Sequence, residues 1–432
     1  MHRRFAKLVR SLVVLAALVA ATAAPAADPS KVYRIAFPTA ETGFDPARVS
    51  DLYSNTINEA IFERLLTYDY LARPAKLVPM VAEAMPQVTG DGQVYTFRIR
   101  KGVHFTPDPA FKGRKRELVA GDFAYTIKRH ADPKNRSPWA FMIERKIAGL
   151  DALIEQAKKT GKFDYDAKIP GLETPDPHTL VVRLVAPDYL FNYTVAHVPF
   201  GAMAREVVEA YGDDIGAHPV GTGPYVLKEW KRASRIVLEA NPAYRGFTWD
   251  FAVSEPEWDE PIVKAMRGKS MPQIGRVEIS IIEEDQSRWL AFGGRELDVL
   301  ALPGTFRPQA VDAAGTLLPR WTGEGVTMFR AIDPELTYTF FNFRDPVVGG
   351  YTPEKAALRR AIIMAYDLRE EIEVVRKRQA VQAHMPVPAG VVGHDPSYRT
   401  INAYDPALAN RLLDRFGYRK GADGWRTLPD GK

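Results

Sequence analysis

Residues able to support catalysis are present in this chain, but their spacing matches none of the common catalytic motifs. There is no H-E-x-x-H pair to hold zinc and no G-x-S-x-G turn to present a nucleophilic serine. The chain has no cysteine, which excludes thiolate chemistry, cysteine-based metal sites and disulfides. The sequence therefore predicts a protein that is not an enzyme.

Two glycine-containing segments resemble nucleotide-binding loops without completing them. Gly268-Lys269-Ser270 ends like a phosphate-binding loop, but position 263 is Val where the loop needs its first glycine. The segment from Gly221 to Gly223 begins like a dinucleotide fingerprint, but Pro224 follows and removes an N–H that a phosphate cradle would use. This second segment is interpreted as a tight turn into a strand.

Histidines and carboxylates could supply metal ligands or acid–base groups. None of the eight histidines forms an i, i+3 or i, i+4 pair on a helix, and only His384 and His394 lie fairly near each other. Solvated loop histidines are far commoner than a metal site of that kind. The carboxylates of 255–260 and 283–285 are interpreted as solvated acidic faces. We expect no metal and no cofactor.

The surrounding elements predict a mixed α/β chain, in which short β-type runs alternate with amphipathic helical stretches. The predicted strands are Lys31–Phe37, Tyr95–Arg100, Thr179–Val185, Tyr225–Trp230, Arg235–Glu239, Val277–Ile282 and Tyr338–Asn342. The predicted helices are Leu52–Leu65, Ala120–Arg129, Ala140–Gln156, Pro353–Tyr366 and Pro406–Phe416, with Thr352 as the N-cap of the fourth.

The N-terminus has the features of a secretory signal peptide. Basic residues between Arg3 and Arg10 precede an apolar run from Leu12 to Ala21, and Ala24-Pro25-Ala26 is a suitable cleavage site. The run is too short for a membrane span, which needs roughly 20 residues. We expect residues 1–26 to be removed and the mature protein to be periplasmic.

Most of the net positive charge of the chain belongs to this predicted signal peptide. Four of the 58 Lys and Arg residues belong to it, which leaves 54 against 53 Asp and Glu. A nearly neutral protein offers no global field for nucleic acid or anionic lipid. With 46% hydrophobic residues, the remaining chain is large enough for two or more lobes.

The segment from His218 to Trp230, HPVGTGPYVLKEW, is followed by RIVLEANPAYRG from Arg235 to Gly246. This pattern resembles the GTGPY-x-L-x-x-W and L-x-x-N-P-x-Y block of the peptide/nickel (family 5) solute-binding proteins of ABC importers. Further blocks occur in the family's order along the mature chain, among them IFERLL from Ile61, YTFRIRKGVHF from Tyr95, and LRRAIIMAYD from Leu358. These motifs are mostly turns and core packing: Gly221 and Gly223 should sit where no side chain fits, and Tyr225, Trp230 and Tyr244 should pack.

The resemblance implies an α/β, two-lobed periplasmic-binding-protein fold with an extra subdomain in the first lobe. Lobe I is predicted at 27–62 and 186–335, the inserted subdomain at 63–185, and lobe II at 336–432, with strand Tyr338–Asn342 as one hinge crossing. Relatives of this kind continue beyond the position of Lys432. The resemblance therefore also predicts that the C-terminal part is missing, including part of lobe II, the return hinge crossing and a piece of lobe I.

The implied function is capture of a peptide or related solute in an interlobe cleft. Hinge closure would then deliver it to an ABC permease and ATPase complex in the inner membrane. A monomer is expected. The predicted ligand-binding residues are Leu52, Tyr53, Trp139, Val220, Gly221, Thr222 and Tyr338, each of which could instead belong to the core or a turn.

Ligand identity stays open at this point, because the Asp that pairs with the α-amino group in peptide-binding members lies in the missing part. A nickel-chelate or haem carrier of the same family is an alternative. Rivals from other classes are a periplasmic hydrolase and a chaperone-like or signalling receptor on the same fold.

Overall fold

The computed structural model describes residues 27–401 and 403–431, and the predicted signal peptide lies outside them. None of the helices in this part of the chain combines the length and the hydropathy that a transmembrane span requires. Contacts divide the chain into two compact units, one ending at Leu300 and the other beginning at Ala301. The boundaries expected for the lobes and the inserted subdomain stay predictions.

The strands are β1 (Asp28–Phe37), β2 (Leu66–Tyr68), β3 (Leu77–Pro79), β4 (Gln87–Thr89), β5 (Val94–Arg98), β6 (Leu172–Asp176), β7 (Thr179–Arg183), β8 (Tyr225–Lys231), β9 (Arg235–Ala240), β10 (Phe247–Thr248), β11 (Ser270–Met271) and β12 (Ile274–Ile281). The α-helices are α1 (Leu52–Ile61), α2 (Ala120–Ala131), α3 (Leu150–Thr160), α4 (Phe191–Ala196), α5 (Arg205–Tyr211), α6 (Pro256–Met266), α7 (Asp285–Gly293), α8 (Arg307–Ala310), α9 (Pro319–Gly323), α10 (Pro353–Met364), α11 (Leu368–Glu370) and α12 (Pro406–Arg415).

A mixed sheet in the first unit has the order β1-β12-β9-β8. Strand β1 pairs in parallel with β12, and the other two pairings are antiparallel. The central residues of β9, Ile236, Val237 and Leu238, are buried in succession, as expected for a strand covered on both faces. The strands adjacent to the GTG segment therefore form part of the core.

A second sheet of the first unit is antiparallel, with the order β4-β5-β7-β6. Tyr95 and Phe97 of β5 are buried in alternation with more accessible neighbours, the period of a strand with one covered face. Helix α2 lies against β6 and β7 and buries Phe123 and Ile127. Both sheets contribute to one continuous hydrophobic cluster.

A smaller cluster lies beside the β10–β11 pair. Trp249 and Val263 of this segment are buried against Leu71, which belongs to the turn between β2 and β3. Helix α6 supplies Val263, so the segment from β10 to β11 forms a satellite packed on that hairpin turn.

The second unit contains few contacts between elements. Helices α10 and α12 pack through Ala361, Met364 and Ala409. The Asp405 carboxylate caps α12 by accepting from the Leu408 N–H at 2.7 Å. Among the described residues of this unit, the only β pairings are the isolated bridges Val311 with Leu317 and Lys420 with Arg426.

Predicted elements of the first unit are mostly confirmed, with two corrections. Helix α1 ends at Ile61, not Leu65, because the chain turns to extended conformation at Phe62. The predicted helix Ala140–Gln156 is wrong: a 3-10 turn at Ala140–Met142 is separated from α3 by Arg145 and Gly149, which both have positive φ.

Two further predictions concern the second unit, where the strand is wrong and the position of the N-cap is confirmed. Strand Tyr338–Asn342 does not form, because no other segment of the described chain pairs with it. Thr352 does lie at the N-cap of α10, but its side chain makes no capping hydrogen bond there.

Candidate functional site

The loop before α1 presents the first predicted ligand-binding residues. Asp51 caps the helix, accepting from the Ser54 N–H at 2.7 Å and from the Thr42 hydroxyl at 2.6 Å. Leu52 begins the helix and is 71% exposed. The Tyr53 ring lies 4.8 Å from that of Phe37 and packs against the core. Leu52 is therefore available to a ligand, whereas Tyr53 is mainly a packing residue.

Trp139 is bound to the same loop. Its indole N–H donates to the Val49 carbonyl at 2.8 Å, and its ring meets His197 edge-on with 4.5 Å between centroids. Two positions further on, Phe141 is largely exposed. Leu52 and Phe141 are thus exposed apolar residues on either side of the Val49–Trp139 contact in sequence. Phe141 was not predicted as a ligand-binding residue, and its position was assigned to a continuous helix.

A buried histidine sets the position of Trp139. Ser137 accepts from the Trp139 N–H at 3.2 Å, and the Ser137 hydroxyl lies 2.8 Å from His130 Nδ1. His130 Nε2 lies 2.8 Å from the Pro199 carbonyl, so Nε2 carries the proton and Nδ1 accepts from Ser137. Burial lowers the pKa of His130 to about 4 and keeps the ring neutral.

The GTG segment lies at the other end of α1. A Cβ on Gly221 would meet the Ile61 carbonyl oxygen at 2.0 Å, and one on Gly223 would meet it at 2.7 Å. The Gly221 carbonyl accepts from both the N–H and the hydroxyl of Thr106, at 2.9 and 2.8 Å. The prediction that these glycines tolerate no side chain is confirmed.

The other two residues of this predicted set are also held within the fold. Thr222 is buried, and Val220 is half-buried against the main core. The Gly223 N–H donates to the Ile61 carbonyl at 2.8 Å. This carbonyl is at the C-terminal end of α1, where the helix itself supplies no donor. The ligand role of Val220, Gly221 and Thr222 stays a prediction.

The N-P-x-Y part of the motif holds the GTG turn. The Asn241 amide donates to the Gly223 carbonyl at 2.8 Å, and its N–H donates to the Pro224 carbonyl at 2.8 Å. The Trp230 indole N–H donates to Glu41 at 2.5 Å, and the ring packs 4.8 Å from Phe44. This network explains why the motif identifies the fold better than it identifies the ligand.

A buried ion pair under this turn was not foreseen. Glu63 is fully buried and accepts from the Arg245 guanidinium at 2.5 Å. Burial raises the pKa of Glu63 above its ordinary value, and the positive charge of Arg245 only partly offsets this rise. Glu63 lies in the IFERLL segment and Arg245 in the RIVLEANPAYRG segment. A charged residue within each of these largely apolar segments could have indicated the ion pair.

The structure thus brings together part of the predicted set. The loop before Leu52 contacts Trp139 through the Val49 carbonyl. The chain before this loop also contacts the segment that precedes the GTG turn, because the Phe44 N–H donates to the Gly216 carbonyl at 2.9 Å. Gly221 lies at the far end of α1 from Leu52, about 15 Å away at 1.5 Å per residue. Tyr338 belongs to the second unit and is 71% exposed.

The described residues contain no group of three or more His, Asp or Glu side chains arranged to hold a metal ion. His394 Nδ1 lies 2.8 Å from the Val387 carbonyl. The groups that the Trp139 region offers to a ligand are aromatic and apolar faces. Such groups suit recognition that does not depend on one particular side chain of the ligand.

The sheets and helices of the first unit give the chain a mixed α/β architecture. Residues 76–432 match the family model for bacterial extracellular solute-binding proteins, family 5, Middle. The chain belongs to the bacterial extracellular solute-binding proteins of family 5.

Similar relatives agree with this assignment. The chain is 26% identical to di/tripeptide-binding protein 2 of Pseudomonas aeruginosa, over 94% of this chain and 67% of the relative. It is 31% identical to the periplasmic oligopeptide-binding protein OppA of Escherichia coli, over 54% of this chain and 42% of the relative. The chain thus spans between about two fifths and two thirds of the length of these relatives.

Among solved structures, it matches the periplasmic binding protein DppA of Helicobacter pylori in complex with the peptide STSA. The TM-score is 0.62 at 20% identity, with 90% of this chain and 67% of that chain covered. The predicted fold class, the α/β fold of two-lobed periplasmic binding proteins, is confirmed.

Proposed function

We propose that this protein is the periplasmic substrate-binding component of an ABC importer and that its ligand is a peptide. Family membership over residues 76–432 carries the proposal. The relatives' names add ligand class, because one is called a di/tripeptide-binding protein and another an oligopeptide-binding protein. The partners would be a permease and an ATPase at the inner membrane, reached after removal of residues 1–26.

The Trp139 region supports an apolar ligand wall in the proposed cleft. The Trp139 indole is held by Val49 and the edge of His197, and its backbone by Ser137. A side chain fixed by two contacts of its own and by its backbone loses little rotamer freedom when a ligand packs on it. Leu52 and Phe141 then contribute exposed apolar surface without competing hydrogen-bond demands.

Delivery rather than chemistry is part of this proposal. Two buried ion pairs support it, because their charges are used within the fold: Arg129 donates to Asp45 at 2.7 and 3.0 Å, and Arg245 donates to Glu63. His130 bonds on both ring nitrogens, to Ser137 and Pro199. We infer that ligand binding favours a closed arrangement that the permease recognises.

A thermal-shift titration tests this proposal. The mature protein, expressed from the complete reading frame, is mixed with di-, tri- and longer peptides, a nickel–histidine chelate and haem. A ligand at 100 times its Kd stabilises the folded state by about 2.7 kcal/mol, and for a large domain each kcal/mol raises Tm by roughly 2–4 °C. We expect peptides to raise Tm.

A pair of tryptophan variants locates the site. Trp139→Ala should reduce the peptide-induced shift, whereas Trp258→Ala, which removes a half-exposed tryptophan of α6, should leave it unchanged. A shift with the metal chelate or haem alone contradicts the peptide assignment and favours the corresponding carrier. Turnover of a peptide by the pure protein would instead favour a hydrolase.

A further inference from the structure

Charge is distributed unevenly along this nearly neutral chain. Residues 63–185, the range predicted for the inserted subdomain, contain 21 Lys and Arg against 15 Asp and Glu. The rest of the chain after residue 26 contains 33 against 38, because the totals without the predicted signal peptide are 54 and 53. Overall neutrality therefore hides a positively charged part, and such a part attracts an anionic partner over roughly a Debye length, about 8–10 Å.

Much of this charge lies on a two-armed ribbon at 100–118, here called the basic ribbon, which contains six Lys and Arg against two Asp and Glu. Its arms run antiparallel: the Phe105 N–H donates to the Arg116 carbonyl at 2.9 Å, and the Leu118 N–H donates to the Val103 carbonyl at 2.8 Å. Val103, Phe105 and Leu118 are buried in the main hydrophobic cluster. The apolar side chains of the ribbon thus fix it to the core.

The tip of the basic ribbon, residues 106–115, is also held in place. Phe111 is buried, with its ring 6.1 Å from that of Phe105. The Asp108 carboxylate accepts from the Ala110 N–H at 2.8 Å and from the Tyr211 hydroxyl at 3.0 Å. The tip is therefore formed before any partner arrives, which lowers the entropic cost of docking.

Three cations lie within four residues of the tip. Lys112, Arg114 and Lys115 are exposed, and the chain between the first and the last spans at most roughly 11 Å, so they act together on a charged surface. Among the described residues, no carboxylate lies within ion-pair distance of any of the three. Arg114 Nε donates to the Phe111 carbonyl at 3.4 Å, which leaves its two terminal amino groups for a partner.

The carboxylates that contact the ribbon are used within the fold. Arg116 pairs with Asp122 at 2.6 Å and with Glu206 at 2.9 Å. Glu117 accepts from the Gly102 N–H at 2.6 Å. Even when Asp122 and Glu206 are counted with the ribbon, its positive charges exceed its negative ones by two. The three tip cations are therefore neither paired nor fully neutralised by their surroundings.

The chemistry of the tip fits an anionic lipid surface better than a protein surface. No large apolar side chain is exposed between 100 and 118. A protein interface usually has a desolvated apolar core, which this surface cannot supply. Attraction between Lys or Arg and anionic headgroups needs no such core and no fixed geometry, because it depends on the number of cations near the surface.

We propose that the tip of the basic ribbon docks on a phospholipid surface with anionic headgroups, through Lys112, Arg114 and Lys115. Docking would hold the protein beside a membrane and restrict its search for a membrane partner to two dimensions. The inference goes beyond the proposed function, because it uses none of the predicted ligand-binding residues and would stand if the ligand were not a peptide.

Co-sedimentation of the full mature protein with lipid vesicles tests the proposal. Vesicles of phosphatidylcholine alone are compared with vesicles of equal parts phosphatidylcholine and phosphatidylglycerol. We expect binding to the anionic vesicles, at least tenfold weaker binding to the neutral ones, and loss of affinity as salt is raised from about 0.01 to 0.15 M. Glycerol 1-phosphate, which has the phosphate without the bilayer, should not displace the protein at the same phosphate concentration.

Two triple variants assign the surface. The tip variant replaces the three tip cations: Lys112→Gln, Arg114→Gln and Lys115→Gln. The control variant replaces three exposed lysines outside 63–185 and so removes the same net charge: Lys31→Gln, Lys264→Gln and Lys269→Gln. Each tip cation should contribute a factor of about five, so the tip variant should bind at least tenfold more weakly, whereas the control should change the affinity by less than about threefold.

All six side chains are exposed, so both variants should fold, and circular dichroism checks this. The single variant Lys115→Gln should weaken binding by about fivefold. Absence of binding to anionic vesicles, equal affinity for neutral ones, displacement by glycerol 1-phosphate, or an equal loss in the two triple variants overturns the proposal. No peptide enters this assay, so its failure would leave the proposed function untouched.

Discussion

The two compact units both contain aromatic residues in strand-type sequence, but these residues are buried in the first unit and exposed in the second. In the first unit, aromatic strand residues such as Tyr95 and Phe97 are buried between paired strands. In the second, Tyr338 and Phe340 stand in the same alternating, β-branched and aromatic pattern but are 71% and 77% exposed. The difference shows that a strand-type sequence becomes a strand only when another segment supplies its hydrogen-bonding partner.

The same contrast extends to the polar groups. The first unit has ion pairs such as Arg129–Asp45 that are almost fully buried, whereas pairs of the second, such as Arg378–Glu373, are solvated. Buried polar pairs are sensitive to the loss of one partner, because the remaining charge is left desolvated. Substitutions in the first unit should therefore have larger effects than comparable ones in the second.

The largest effect is expected from breaking the buried ion pair. Arg129→Met should lower the free energy of unfolding by about 3–5 kcal/mol, because Asp45 stays buried with only Arg48, at 3.4 Å, as a partial replacement. Urea denaturation followed by tryptophan fluorescence measures it. The control Arg183→Met removes a half-exposed pair with Glu173 and should cost less than about 1 kcal/mol. Equal losses in the two variants would contradict the contrast.

A smaller loss is expected from adding one methyl group to the GTG turn. Gly221→Ala should destabilise by about 2–3 kcal/mol, since the new Cβ would overlap the Ile61 carbonyl oxygen. In the second unit, Gly323→Ala meets no atom within 4 Å and should change stability by less than about 0.5 kcal/mol. Urea midpoints of the two variants give the comparison directly. A tolerated alanine at 221 would mean that α1 can shift.

Acidification should weaken the first unit through His130. Its pKa is about 4 in the folded state and roughly 6.5 when unfolded, so the unfolded chain binds more protons between these values. This contribution is fully present above pH 6.5 and is lost as the pH falls towards 4. It amounts to about 2 kcal/mol between pH 7 and pH 5. His130→Gln should flatten the measured pH dependence of unfolding; an unchanged slope would assign the loss to other groups.

The smallest effect is expected in the unpaired segment of the second unit. Phe340→Ser should change the free energy of unfolding by less than about 0.5 kcal/mol, because the ring is exposed in the folded state. It should also reduce fluorescence of the apolar dye ANS. Phe97→Ala, in the first unit, is the matched core change and should cost about 3–5 kcal/mol. A large loss from Phe340→Ser would show that the segment is packed in solution.

Local patterns predicted much of the fold. The apolar periodicity of α2 and the β-branched runs of β1, β9 and β12 identified those elements with ends correct to within a few residues. The helix expected at Ala140–Gln156 failed because Arg145 and Gly149 adopt positive φ, which apolar spacing does not reveal. In the candidate site, Leu52 and Trp139 were predicted from sequence motifs. The hydrogen bonds that hold Trp139, to Val49 directly and to His130 through Ser137, could not be predicted, because they join residues far apart in the chain.

The family, the α/β class and the GTG glycines that tolerate no side chain could be predicted from sequence, because these features depend on residues near one another in the chain. Which polar groups are paired and which stay exposed depends on the tertiary structure. The fold brings Asp122 and Glu206 to Arg116, whereas Lys112 and Lys115, which lie close to Arg116 in sequence, have no ion-pair partner among the described residues. Availability of a charge is a property of its spatial neighbours, and those neighbours are set by packing.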